Sequence, residues 1–118
     1  MPNPHYHWMN TALAVAQKAL PQDVPVGAVL LNAQGEELAR ACNTRERDQD
    51  PLGHAELKVL QATAQALGNW RLTGCTLYVT LEPCPMCASA ILQARVSNVI
   101  FGAYDPVMGA AGSKYHLF

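Results

Sequence analysis

The chain reads TLYVTLEPCPMCASAILQARVSNVIF over residues 76–101. Residues 76–81 have the β-branched and aromatic bias of a strand, residues 85–94 predict a helix, and residues 97–101 predict a second strand. A strand, a helix and a strand in this order indicate a right-handed crossover between two parallel strands. An α/β fold is therefore expected.

The segments upstream add a helix and a hairpin. Apolar residues recur at spacings of three and four through an alanine-rich stretch, which predicts a helix over residues 7–20. Pro21 should end that helix, because proline cannot continue it. Residues 26–32 and 37–43 predict two antiparallel strands, joined by turn-forming residues at 33–35. The predicted sheet is therefore mixed, with both antiparallel and parallel pairs.

The remaining segments complete one unit. Residues 44–53 are polar and contain proline and glycine, which predicts a loop, and the helix that follows should end at Gly68. The 118 residues are the size of one domain; half of them are hydrophobic and 14% are charged. Because no internal repeat or linker interrupts the chain, residues 1–118 are expected to form a single domain.

Charge and hydropathy exclude several classes of function. The formal net charge of −1 argues against strong, sequence-blind binding to nucleic acid, because such binding depends on Lys and Arg neutralising phosphates. No apolar run approaches the roughly 18 to 20 residues that a membrane-spanning helix needs. The first residues also lack the basic and apolar pattern of a signal peptide. We expect a cytoplasmic protein with no membrane partner.

Two motifs that can carry chemistry fall at predicted helix starts, His54-Ala55-Glu56 and Pro83-Cys84-Pro85-Met86-Cys87. Both cysteine sulfurs can face one point on a first helical turn, where the helix N-terminus favours the thiolate that binds zinc. A Cys-x-x-Cys pair alone could equally be a redox pair or half of a structural zinc site. His54 with Cys84 and Cys87 supplies three ligands and leaves a fourth position for water, which is typical of catalytic zinc. One Zn²⁺ per chain is expected.

The other two cysteines, Cys42 and Cys75, are left out of this site. Each lies in an apolar, strand-like stretch, where a buried cysteine behaves as a small hydrophobic residue. Disulfides are not expected, because they rarely persist in the reducing compartment that the chain is expected to occupy.

Glu56 is the candidate for moving protons. It follows His54 by two residues, close enough to reach a water molecule on the metal without competing as a ligand. Taken singly, a histidine is more often a surface or core residue than a ligand, and a glutamate is usually a solvated helix residue. His-x-Glu followed by Pro-Cys-x-x-Cys is nevertheless the known signature of zinc nucleobase deaminases.

Beyond this signature, the sequence resembles the bacterial tRNA adenosine deaminases of the cytidine deaminase-like zinc superfamily. The resemblance runs from about Trp8 to Ser113. It rests on Val24-Pro25-Val26-Gly27-Ala28-Val29, Asn43, His54-Ala55-Glu56, Leu77 to Cys84, Cys87-Ala88, and Phe101-Gly102-Ala103-Tyr104-Asp105 leading into Gly109-Ala110-Ala111-Gly112-Ser113. The zinc motifs mark the whole superfamily, whereas the last stretch points to its tRNA-editing branch.

The resemblance implies a three-layer α/β fold with helices on both faces of a mixed sheet. It also implies hydrolytic deamination of adenosine to inosine in nucleic acid, with the wobble adenosine of a tRNA anticodon as the expected target. The expected partners are tRNA, or another single-stranded or hairpin nucleic acid, and a second copy of the chain in a homodimer. The family usually continues with another strand and a long C-terminal helix, which are missing here, so strand 97–101 should be a sheet edge.

The resemblance also assigns substrate contacts. Asn43 should hydrogen-bond the target base, Val26, Ala55 and Leu81 should line its pocket, and Asp105 should contact the sugar-phosphate backbone. From the residues alone, Asn43 could instead be a turn residue that ends a strand. Asp105 could likewise be a cap or turn residue before a proline.

Two other functions remain open. A deaminase of cytosine, guanine or nucleosides, or a compact DNA base deaminase, would share every metal ligand and differ in the pocket and the outer loops. A non-catalytic, zinc-stabilised binding module would hold the metal without releasing ammonia.

Overall fold

The computed structural model describes residues 3–118, so residues 1 and 2 of the expected domain, 1–118, lie outside it. The elements in chain order are α1 (Pro4–Ala16), a 3₁₀ turn (Gln17–Ala19), β1 (Gly27–Leu31), β2 (Glu37–Cys42), α2 (Ala55–Leu67), β3 (Thr76–Leu81), α3 (Pro85–Gln93) and β4 (Asn98–Ala103). None of the helices in residues 3–118 has the length and apolar character needed to cross a membrane.

The sheet has four strands in the order β2-β1-β3-β4. β1 pairs antiparallel with both β2 and β3, and β3 pairs parallel with β4 across the α3 crossover. Every residue of β1 is buried, as expected for a continuous apolar run at the centre of a sheet covered on both faces. The predicted mixed α/β sheet is confirmed, and β4 lies at its edge.

The strands alternate their side chains between two packed layers. Ala28 and Leu30 of β1 pack in a cluster with Val59 of α2 and Ile91 of α3. Their neighbours on the strand face the other way: Val29 and Leu31 belong to a second cluster, which includes Ala12 of α1. The order α1, sheet, α2 with α3 gives the three layers that the resemblance implies.

Gly27 allows α1 to approach the sheet. A Cβ atom at Gly27 would lie 2.1 Å from the carbonyl oxygen of Ala12 and 2.6 Å from the backbone nitrogen of Ala16. Both distances are far below van der Waals contact, so the position requires a residue without a side chain. This contact fixes α1 against the start of β1, next to the site described below.

Several predicted boundaries need correction. The first helix begins at Pro4 rather than residue 7, because Asn3 caps it by accepting a hydrogen bond from the backbone N–H of His5 and proline suits a first helical position. It ends at Ala16, and the predicted helical residues beyond become the 3₁₀ turn and its cap. The last strand runs to Ala103 rather than residue 101, because Leu81 of β3 still pairs with Ala103.

Candidate metal centre and substrate pocket

Two helix starts carry the residues of the predicted site. His54 is the N-cap of α2, with extended backbone angles (φ −80°, ψ 144°), and the polar loop over residues 43–53 leads into it. Cys84 is the N-cap of α3, with φ −73° and ψ 170°, directly after β3 and Pro83. Pro85 occupies the first helical position, so Cys87 lies on the first turn.

The three candidate ligands converge, although 30 or more residues separate His54 from either cysteine. Nδ1 of His54 lies 3.7 Å from Sγ of Cys84 and 3.4 Å from Sγ of Cys87, and all three ligand atoms lie within 4.8 Å of one another. Zinc–sulfur bonds of about 2.3 Å and a zinc–nitrogen bond of about 2.0 Å in a tetrahedron would place nitrogen and sulfur about 3.5 Å apart. The donor set and its spacing therefore fit Zn²⁺.

The helix start also prepares one thiol for metal binding. A hydrogen bond from the Cys87 thiol and further ones from the backbone N–H groups of Cys87 and Met86 lower the pKa of Cys84 to about 5, against the opposing effect of burial. The same hydrogen bond raises the pKa of Cys87, and burial adds to the rise. Because zinc binds cysteine as the thiolate, the lowered pKa of Cys84 favours metal binding at this helix start.

Glu56 lies beside these ligands and is almost fully shielded from solvent. Its side chain is buried, with 4% of the residue exposed. Burial raises the pKa of its carboxyl, and the negative charge of Cys84 raises it further. A hydrogen bond from its own backbone N–H and the positive charge of His54 oppose this rise. A raised pKa makes the Glu56 carboxylate a stronger base than an exposed glutamate, which suits a group that accepts and returns a proton.

A cavity of about 510 Å³ opens onto the ligands. All five residues that the resemblance assigned to the substrate lie in its wall: Val26, Asn43, Ala55, Leu81 and Asp105. Glu56, His54 and Cys84 line it as well, whereas the buried Cys87 does not. A larger cavity of about 840 Å³ lies between α2 and α3, but none of the three candidate ligands lines it. The smaller cavity is therefore the candidate site.

Asn43 and Asp105 each combine a turn role with a place in the pocket wall. The Asn43 side chain accepts a hydrogen bond from the N–H of Arg45 at 3.0 Å and donates one to the carbonyl of Val24 at 3.2 Å. Oδ1 of Asp105 accepts from the N–H groups of Val107 at 3.1 Å and Met108 at 3.2 Å. The turn interpretation and the pocket interpretation are thus compatible at both positions.

Two buried carboxylates hold the loops on either side of the cavity. Asp23 accepts hydrogen bonds from the backbone N–H groups of Glu46 at 2.7 Å and Arg47 at 3.1 Å, in the loop before His54. Glu82 binds the loop after β4. Burial alone would raise the pKa of Glu82, but hydrogen bonds from the Ser113 hydroxyl and from three backbone N–H groups hold it at about 2. Both loop backbones are therefore fixed by charge-assisted hydrogen bonds.

Seven of the residues that line the pocket were not predicted from the sequence to do so: Val24, Arg45, Pro51, Glu82, Pro85, Met86 and Met108. The sequence does indicate a special position for Glu82, because a carboxylate between a hydrophobic strand and a buried helix start needs hydrogen-bond partners. No such indication exists for Val24 and Met108, since their places depend on how two loops distant in sequence approach each other.

Comparisons with known proteins agree with this geometry. Residues 2–103 match the cytidine and deoxycytidylate deaminase zinc-binding region. The chain is 50% identical over 111 residues to the tRNA-specific adenosine deaminase of Bacillus subtilis, covering 93% of this chain and 68% of that protein. It spans between 64% and 74% of this and three other bacterial tRNA-specific adenosine deaminases, and about a fifth of the tRNA(Ile)-lysidine synthases of two Deinococcus species.

Two solved structures extend the comparison. One, from a study of A-to-I editing by tRNA:A34 deaminases at the wobble position of transfer RNA, superposes with a TM-score of 0.89 at 44% identity, covering 94% of this chain and 85% of that one. The other is the guanine deaminase of Bacillus subtilis, with a TM-score of 0.82 at 32% identity, covering 92% of this chain and 70% of that one.

Proposed function

Since the chain belongs to the cytidine and deoxycytidylate deaminase zinc-binding family, we propose that it binds one Zn²⁺ and deaminates adenosine to inosine in nucleic acid. The convergence of His54, Cys84 and Cys87 beside the buried Glu56 carries this proposal. The reaction is hydrolytic: adenosine and water give inosine and ammonia.

His54, Cys84 and Cys87 would hold the zinc, and Glu56 would remain free for proton transfer. When bound, a zinc ion with an open coordination position supplies a Lewis acid that lowers the pKa of a water molecule. The two cysteines supply soft ligands, and the imidazole of His54 binds in its neutral form.

Glu56 would carry the protons of the reaction. Its carboxylate accepts a proton from the attacking water, whose oxygen forms the new bond to C6 of the adenine ring as the C6=N1 double bond opens, and passes that proton to N1. The same group then carries the proton of the new C6 hydroxyl to the amine, so that the C6–N bond breaks, ammonia leaves and the C6=O of inosine forms. Burial favours this exchange because it raises the pKa of the Glu56 carboxyl, which makes the carboxylate a stronger base than an exposed glutamate.

The pocket would receive one base taken out of its stack. Val26, Ala55 and Leu81 give apolar contacts to the ring, and the amide of Asn43 keeps hydrogen-bonding capacity beyond its two internal bonds. Asp105 would contact the sugar-phosphate backbone beside the flipped base. Enzymes that act on a base within a strand use this arrangement of pocket and rim.

The wobble adenosine of a tRNA anticodon is the substrate that we favour. Support comes from the tRNA-specific adenosine deaminase of Bacillus subtilis, at 50% identity, and from the tRNA:A34 deaminase structure. A tRNA substrate also supports a cytoplasmic location. We further propose that residues 1–118 act as one domain and that two copies associate.

One assay tests the substrate class. The protein would be incubated with an RNA hairpin that carries adenosine in an anticodon-like loop, with its DNA counterpart, and with matched cytidine hairpins. We expect inosine from the adenosine RNA hairpin and no uridine. Inosine from DNA alone would change the proposed substrate, and a protein that holds zinc but releases no ammonia from any of the four would be a binding module.

A free-base deaminase is the second candidate, because a guanine deaminase shares this fold at 32% identity. Such an enzyme would accept guanine, cytosine or a nucleoside without a surrounding strand. Ammonia release from free guanine, at a rate exceeding that from the RNA hairpin, would favour this candidate over the first.

A further inference from the structure

Glu82 stands at the carboxyl end of β3, between the pocket residue Leu81 and the Pro83-Cys84 motif. It is buried, with 2% of the residue exposed, and it is among the residues that line the cavity. Its carboxylate nevertheless points at the chain rather than at solvent. Four hydrogen bonds reach it, all from the segment that follows β4.

The two carboxylate oxygens divide these donors. Oε1 accepts from the backbone N–H of Asp105 at 3.0 Å and from the hydroxyl of Ser113. Oε2 accepts from the backbone N–H groups of Ala111 at 2.9 Å and Ser113 at 3.1 Å. Residues 105 and 113 are thereby held at one point, so the chain between them forms a closed loop.

Small residues let this loop close around the carboxylate. A Cβ atom on Gly109 would lie 2.4 Å from Cδ of Glu82 and 2.4 Å from the carbonyl oxygen of Asp105. Gly112 has φ +128°, a conformation that side chains disfavour, and Ala110 is fully buried. The sequence GAAGS over residues 109–113 is thus the composition that a backbone needs to surround one buried carboxylate.

The loop carries one wall of the pocket. Asp105 and Met108 line the cavity, and the Asp105 side chain in turn fixes the backbone of Met108 through its N–H. Glu82 therefore acts on both pocket residues through the backbone of Asp105.

We infer that Glu82 is a positioning residue: its carboxylate, enclosed by residues 109–113, fixes Asp105 and Met108 as the wall that receives the nucleic acid. The inference rests on the proposed function. The role of the GAAGS segment would be to enclose the Glu82 carboxylate and donate hydrogen bonds to it. Substrate binding should depend on this contact more strongly than the chemical step does.

An amide cannot replace the carboxylate here. In Glu82→Gln, one oxygen becomes an NH₂ group, which faces the N–H of Asp105 in one orientation and those of Ala111 and Ser113 in the other. At least one backbone donor is then unpaired in either orientation. Ser113→Ala is the milder change, because it removes the hydroxyl and keeps all three backbone N–H groups.

The test compares these two variants with the parent and with Leu31→Val on the adenosine RNA hairpin. Leu31 is buried against α1 and pairs with Thr76, at the opposite end of β3 from Leu81, so Leu31→Val controls for a general loss of stability. Zinc content, KM and kcat would be measured well below the melting temperatures. Amide hydrogen exchange would be followed at Ala111 and Ser113.

We expect Glu82→Gln to keep its zinc and to raise KM by at least about tenfold, the equivalent of one hydrogen bond to a charged group, with a smaller change in kcat. Ser113→Ala should raise KM less, and Leu31→Val should leave it unchanged. The amides of Ala111 and Ser113 should exchange faster in Glu82→Gln.

Three results would overturn the inference: a parental KM in Glu82→Gln, a loss of zinc with an equal loss of kcat, or a KM that rises as much in Leu31→Val. If Glu82→Gln does not fold, Ser113→Ala decides, and an unchanged KM there also overturns it. A parent that forms no inosine overturns the proposed function instead. The exchange rates at Ala111 and Ser113 then decide whether Glu82 fixes the loop.

Discussion

Nδ1 of His54 lies 3.4 Å from Sγ of Cys87, although 33 residues separate them in the chain. The pair joins the residue before α2 to the first turn of α3. A metal bound at this point would therefore connect two helices that the chain itself links only through β3. Because the unfolded chain has no such preformed site, metal binding should add to the free energy of unfolding.

Cys84→Ser tests the ligand assignment. Serine offers a hard and weakly acidic oxygen in place of a thiolate, so zinc occupancy should fall and the melting temperature with it. Elemental analysis and thermal unfolding would measure both. Cys42→Ala is the matched control, because Cys42 lies outside the ligand group and its variant should keep its zinc. Full occupancy in Cys84→Ser would remove Cys84 from the ligand set.

Glu56→Gln should separate holding the metal from using it. Glutamine keeps the shape of the side chain and leaves all three ligands in place, so zinc content and melting temperature should stay near those of the parent. Turnover should fall by roughly 10² to 10⁴, the contribution typical of a general acid-base group. Zinc loss in this variant would mean that Glu56 is a ligand or supports one. Near-normal turnover would assign the proton transfer to another group.

Purified protein should contain one zinc per chain. Within residues 3–118, His54, Cys84 and Cys87 form the one group of at least three such side chains that could hold a metal ion. Removal of the metal by a chelator should lower the melting temperature of the parent and change that of Cys84→Ser much less. Two zincs per chain, or none after gentle purification, would contradict the proposal.

Gly27→Ala should destabilise the fold strongly, because its Cβ would lie 2.1 Å from the carbonyl oxygen of Ala12. Relief of this overlap requires α1 to move off β1, at a cost of about 1 to 3 kcal/mol or more in the free energy of unfolding. Gly35→Ala is the control: its Cβ meets open space, and a side chain at the positive φ of Gly35 should cost about 1 to 2 kcal/mol. A loss in Gly27→Ala no greater than that in Gly35→Ala, measured by denaturant unfolding, would contradict this steric argument.

The protein should self-associate, most simply as a dimer. β4 is an edge strand, and its residues are partly or largely exposed, so its outer backbone groups are open to pairing. Light scattering over a dilution series should give twice the chain mass at micromolar concentration. The mass of a single chain at every concentration would exclude the dimer.

The sequence predicted elements where local pattern and packing agree. The strand at Thr76–Leu81 has the expected bounds, and Gly68 ends α2 in the left-handed conformation that glycine favours. The pairing of β1 with β3 was not predicted, because the partners are far apart in the chain and no turn dictates their register. The predicted start of α1 at residue 7 was wrong, because the apolar spacing begins at Trp8 whereas the helix is started by the Asn3 cap and Pro4.

The candidate site shows the same division. His54, Glu56, Cys84 and Cys87 could be proposed because their spacing already puts them on helix starts. The role of Glu82 depends on donors 23 to 31 residues away along the chain, which only the folded loop brings together. Three of its four hydrogen-bond donors are backbone N–H groups. Every residue except proline has such a group, so the residue types in the sequence do not indicate which ones bind Glu82.

The two loop anchors, Asp23 and Glu82, have a consequence for how the pocket could acquire new specificity. Both carboxylates hold the backbone of the loops beside the pocket. Val24 and Met108 place apolar side chains at the rim of the pocket, where 61% and 46% of the residue, respectively, is exposed. Exchanges at such exposed positions typically change stability by about 0.5 kcal/mol or less. The rim can therefore vary under selection while the anchors and the metal ligands stay constant, so that one scaffold can serve different bases or strands.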